Sequence, residues 1–137
     1  MARFALSNFE NESSETFLSE VMTNGYGLIR LTIEKIVDQE NEPTLSECGE
    51  ALIAAELIAV AGGHAAHDFP DEAREWLQLN LPAGSEEQKE ITGLNELAAD
   101  AIDRIVANSE LREFWEEHPE FKEWFEAQVE LQERLLE

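Results

Sequence analysis

The sequence predicts an all-α fold: one compact multi-helix domain, six to seven helices around a central apolar helix at about 45–61. Three observations carry this reading. Apolar residues recur at three- and four-residue spacing along most of the chain. No segment combines strand alternation with a flanked Asn-Gly hairpin turn. The acids are 26 Glu against only 5 Asp, and Glu is the better helix former. The 137 residues fit a single α-helical domain, 1–137, large enough to bury a core without metal or disulfide staples.

Phe4, Leu6 and Phe9 read as an extended lead-in tucked against the core, with Asn11 as an N-cap and Glu12 and Glu15 favouring the first helix dipole. Phe17, Leu18, Val21 and Met22 form one stripe, which Asn24-Gly25 ends. Residues 26–38 carry two patterns. Ile29, Leu31 and Ile33 alternate as in a strand, while Ile29, Ile33, Ile36 and Val37 sit at helical spacing; the length predicts a helix. Thr44-Leu45-Ser46-Glu47 is a capping box. The helix after it is apolar on nearly all sides and so belongs at the centre, and Gly62-Gly63 stops it.

Pro70 to Leu79 forms a short helix bearing Trp76 and Leu77, broken by residues 80–84. Ser85-Glu86-Glu87-Gln88 reads as a second capping box, opening one amphipathic stripe from Ile91 to Val106. Asn108-Ser109 re-caps the chain for a short helix through Leu111, Phe114 and Trp115 to His118. Pro119 stands at a first helical position, and the last helix turns Phe121, Trp124, Phe125, Val129 and Leu135-Leu136 inward.

The formal charge of −22 repels nucleic-acid phosphates and anionic lipid heads and attracts basic partners. A salt-adapted cytoplasm would also produce it. From Glu110 to Glu137 ten acids face three bases, which reads as a solvated face or as a surface that docks a basic protein. Cys48 is the single cysteine, so no internal disulfide forms; among acidic neighbours it reads as a packed small residue rather than a nucleophile. The opening Met1–Leu6 has no apolar signal-type run, and the stretch 51–63 is too short to span a bilayer, so a cytoplasmic setting is expected.

No residue is assigned as catalytic, cofactor-binding or metal-ligating, and no cofactor is expected. Nothing resembles a phosphate loop, a dinucleotide fingerprint or a nucleophile elbow. Two constellations carry side chains capable of chemistry. His64, His67 and Asp68 follow Gly62-Gly63 at a spacing that would hold a metal only on a helix, without a third-ligand motif; otherwise Asp68 caps the next helix. Glu56 lies inside the most apolar helix, as a general acid or base or as an anchor paired with Arg30, Arg74 or a backbone donor. Trp76, Trp115 and Trp124 read as core, since no basic groove accompanies them.

Phe4-Ala5-Leu6-Ser7-Asn8-Phe9-Glu10-Asn11-Glu12 resembles a diverged form of the opening W-G-x-G-x-F-D-N-D of a bacterial family, the domain of unknown function 4259. Similar stretches follow in the same order: Ala51 to Glu56, Phe69 to Leu77, and Ser109 to Glu117. Phe4, Ala5 and Ser7 stand where the family has Trp and two Gly. The resemblance implies a small α-helical bacterial protein and brings no activity, cofactor or catalytic residue with it. The functional expectation is therefore a non-enzymatic acidic module that engages a basic protein, in the manner of an immunity protein or antagonist, with no nucleic-acid or membrane partner. The alternatives are a metal protein or enzyme using Glu56, His64, His67 and Asp68, and a structural homo-oligomer.

Overall fold

The computed structural model describes residues 12–25, 27–64, 66, 69, 71–80 and 84–137, with backbone alone at 12–15 and 24. The lead-in through Phe4, Leu6 and Phe9, the Asn11 cap, and His67 and Asp68 lie outside the described residues. The described chain is all-helical: α1 (Glu12–Asn24), α2 (Gly27–Asp38), α3 (Leu45–Ala61), α4 (Asp71–Asn80), α5 (Glu86–Thr92), α6 (Asn95–Ala107), α7 (Glu110–Glu116) and α8 (Phe121–Leu136). No helix among them is long and apolar enough to cross a membrane.

The central helix is α3. Eleven of its residues are buried, and it packs against α1, α2, α5, α6, α7 and α8. Its start is the capping box read from the sequence: Thr44 Oγ1 accepts from Glu47 N at 3.2 Å and Glu47 Oε1 accepts from Thr44 N at 2.9 Å. Its end is a Schellman turn. His64 N donates to Ala59 O and Gly63 N to Val60 O, with Gly63 at φ +89°, a conformation that a side chain disfavours.

Helix α2 resolves the two patterns of residues 26–38. Ile29, Ile33 and Ile36 are fully buried while Leu31 is 65% exposed; a strand would have turned Leu31 the same way as Ile29 and Ile33. The stripe from Ile91 to Val106 is continuous in burial but not in helix. Gly93 and Leu94 interrupt it, with Leu94 N bonded back to Ile91 O, so α5 and α6 are two helices where the sequence reads one.

Three local expectations need correction. The second capping box does not close on itself: Ser85 Oγ accepts from Gln88 N, but Gln88 Oε1 accepts from Gly84 N, one residue before the cap. The amide's other end, Gln88 Nε2, donates to Ala61 O at the end of α3. Pro119 precedes the N-cap Glu120 and is not the first helical residue. The buried face of α8 is Trp124, Gln128, Leu131 and Leu135. Phe121, Phe125 and Val129 are half-buried and Leu136 is 57% exposed, because the inward stripe runs 124, 128, 131, 135 and leaves those positions on the flank.

Candidate functional site

Among the described residues, α8 carries charged groups in two settings. The first is the inner end. Arg134 Nη1 donates to Glu56 Oε1 at 2.9 Å and to His64 O at 3.1 Å, and Arg134 Nε donates to Glu130 Oε2 at 2.6 Å. The side chains of Arg134 and Glu56 are 13% and 5% exposed. Burial disfavours the arginine's charge, but its hydrogen bonds to Glu56 and Glu130 outweigh that and raise its pKa. The partner of Glu56 is thus neither Arg30 nor Arg74. Arg30 pairs with Glu34 on α2, and the anchor comes from 78 residues along the chain, a distance no local spacing reveals.

His64 is placed by the Schellman turn, and its ring Nε2 lies 3.6 Å from Glu137 Oε2. The cleft here, about 530 Å³, is lined by the end of α3, His64, Gln88, Asn95 and Arg134. Its polar groups are engaged within the fold: Gln88 holds Ala61 O, and Asn95 Nδ2 holds Leu135 O at 3.0 Å. No group of three or more His, Cys, Asp or Glu among the described residues is arranged to hold a metal. Cys48 is fully buried, and burial first pushes its thiol up to about 11 against hydrogen bonds from Ser109 and Leu111. Trp115 and Trp124 are core and stack at 6.2 Å. Trp76 is half-buried and reaches Met22 O with its indole N–H at 3.1 Å, tying α4 to α1.

The second place is the outer side of α8. Glu96, Asp100 and Asp103 are exposed on one face of α6, and Glu126, Glu130 and Glu133 are exposed on one face of α8, with Glu137 exposed just past its end. Between the two helices lies a groove of about 870 Å³, lined by Glu96, Asp100, Asp103, Glu133 and Glu137 over a floor of Ala99, Val129 and Leu136. Gln132 Nε2 fastens its walls, donating to Ala99 O at 2.9 Å and Asp103 Oδ1 at 2.7 Å. Among the described residues, Glu96, Asp100, Asp103 and Glu133 form no salt bridge. The charge count of the last 28 residues (110–137) signalled this surface; the contribution of α6 was legible only as i, i+4, i+7 spacing of Glu96, Asp100 and Asp103.

A second trough, of about 660 Å³, follows the other flank of α8 along Phe121, Phe125 and Val129, with Arg112, Lys122, Glu126, Glu130 and Glu133 at its edges. The Arg112 guanidinium lies over the Phe121 ring at 5.5 Å from its centroid.

The family model described as a domain of unknown function (DUF4259) matches residues 5–127. No curated protein matches the chain, and no solved structure does.

Proposed function

The chain belongs to that family of domains of unknown function, and from this premise we propose that it is a non-enzymatic binding module whose α6–α8 groove receives a basic segment of a partner protein. The carrying observation is the groove itself: five carboxylates around an apolar floor, four of them without a salt bridge among the described residues. Carboxylates at this spacing make the local potential strongly negative and steer a cation inward. The inner end of α8 supports the same reading from the other side, because Glu56, the one carboxylate buried in α3, is held by Arg134 as an anchor. A basic toxin or a nucleic-acid-binding protein, neutralised in the manner of an immunity protein, is the kind of partner such a surface suits. The proposed setting is the cytoplasm, where a lone buried thiol such as Cys48 stays reduced.

The test is a tagged pull-down from the source cell's lysate, run beside the variant carrying Glu96→Gln, Asp100→Asn, Asp103→Asn and Glu133→Gln. A basic protein retained stoichiometrically by the parent, released by salt and lost by the variant is the expected result. Retention that ignores both salt and the four substitutions would overturn the reading, since surface charge pairing is screened.

A further inference from the structure

We infer that the bound segment is an amphipathic helix carrying basic residues along one edge of an apolar stripe, the edge that meets the acids of α6, an inference that rests on the binding-module reading above. An unstructured basic tail would need only carboxylates. The outer side of α8 offers more. Its two troughs meet at Val129 and Glu133, so they form one continuous surface. Along it Phe121, Phe125 and Val129 follow at four-residue steps, and the exposed Leu136 extends the apolar line. Four-residue steps make a ridge of the kind that a second helix straddles. Residues 121–136 span about 22 Å at the helical rise, matching a partner helix of about 15 residues.

The charges define the partner's edge. The acidic stripe of α6 lies on one side of the ridge; on the other, Glu130 is already held by Arg134 and Glu126 by Lys122. The bases of the second trough are already matched on this chain, Arg112 with Glu116 and Lys122 with Glu126. A helix with apolar residues at i, i+3 or i+4 and i+7, flanked on the α6 side by Lys or Arg, satisfies ridge and acids together. A second copy of this chain does not, because each copy carries −22. An anionic membrane is repelled for the same reason.

The experiment is calorimetric titration with two synthetic peptides of about 18 residues. Both contain the same Leu and Lys. One is ordered to give a helical apolar stripe with lysines along one edge; the other is scrambled to abolish the stripe. The ordered peptide is expected to bind at least about tenfold more tightly at physiological salt. Val129→Ser with Leu136→Ser is expected to remove most of that advantage, while Glu72→Lys with Glu75→Lys on α4, an exposed acidic pair remote in sequence from α8, is expected to preserve it. Thermal midpoints confirm that the variants fold, and Leu136→Ser alone, at an exposed position, serves if the double variant does not. Equal affinity for the two peptides, or indifference to the α8 substitutions, overturns the helix inference and leaves the acidic groove standing. Failure of both peptides to bind even at low salt overturns the groove as well.

Discussion

Helix α8 presents glutamate chemistry in two opposite settings. On its inner side Arg134 meets the buried Glu56 and closes the last helix onto the central one. On its outer side Glu133 and its neighbours stand in solvent beside the acids of α6. The residue type is the same and the work differs, because burial decides it. A carboxylate in an apolar interior must have a partner, and losing it is costly. A carboxylate in water needs none and is free to meet an outside cation. Composition alone merges the two; the fold separates them.

The sharpest way to break the comparison is Arg134→Leu. It strands Glu56 without its guanidinium and should cost about 3–5 kcal/mol, read by urea denaturation. The double change Glu56→Leu with Arg134→Leu should recover much of that loss, as apolar replacements of buried pairs often do. A single variant as stable as the parent would mean that the pair is not a clamp.

A smaller effect is expected at the start of α3, where an acid is half-buried but well partnered. Glu47 is held down to about 2, first by the Thr44 backbone N–H, then by Lys35, whose Nζ is 2.9 Å away. Thr44→Ala should cost about 1 kcal/mol through the lost cap. The depressed carboxyl contributes stability that is present above its ordinary value of 4.5 and is lost as pH falls toward 2. Glu47→Gln should therefore flatten the stability profile across that window, measured against the parent by denaturation at each pH.

How much of this was readable in the sequence follows the same division between local and distant. Thr44-Glu47, Gly62-Gly63 and the α2 isoleucines were legible because capping, glycine turns and helical period are local rules. The Glu56–Arg134 pair was not, because it joins residues 78 apart and Arg134 lies in a run that reads as solvated charge. Gln128, fully buried in α8, was missed because a polar side chain breaks the apolar pattern. The α5–α6 break was missed because the apolar stripe runs on through Gly93 and Leu94. The acidic groove was half legible: the charge of α8 was plain, its alignment with α6 was a matter of packing.

The outer acids give the next smaller effect on stability, and a sign that distinguishes them from Glu56. The quadruple change of Glu96, Asp100, Asp103 and Glu133 to their amides should leave unfolding free energy within about 0.5 kcal/mol per site or raise it, because it relieves self-repulsion. Salt should stabilise the parent more than the variant. A large destabilisation would show that these acids hold the fold, and the contrast between the two sides of α8 would fail.

Glu42 is the intermediate case, and it tests whether burial or partnership decides. It precedes α3 in the loop beside the start of α7, where Glu110 N donates to Pro43 O. Its Oε1 is buried with no hydrogen-bond partner among the described residues. Burial first, then the neighbouring charges of Glu113 and Glu110, push its carboxyl above 4.5. The sign is opposite to that of Glu47. The folded chain holds this proton more tightly than the unfolded chain, so ionised Glu42 weakens the fold at neutral pH, and the penalty fades as pH falls through the raised value. Glu42→Gln should therefore raise the urea midpoint at pH 7 and leave it nearly unchanged below pH 4.5. A variant less stable than the parent at pH 7 would mean that the carboxylate has found a cation, and that it belongs with Glu47 rather than between the two sides of α8.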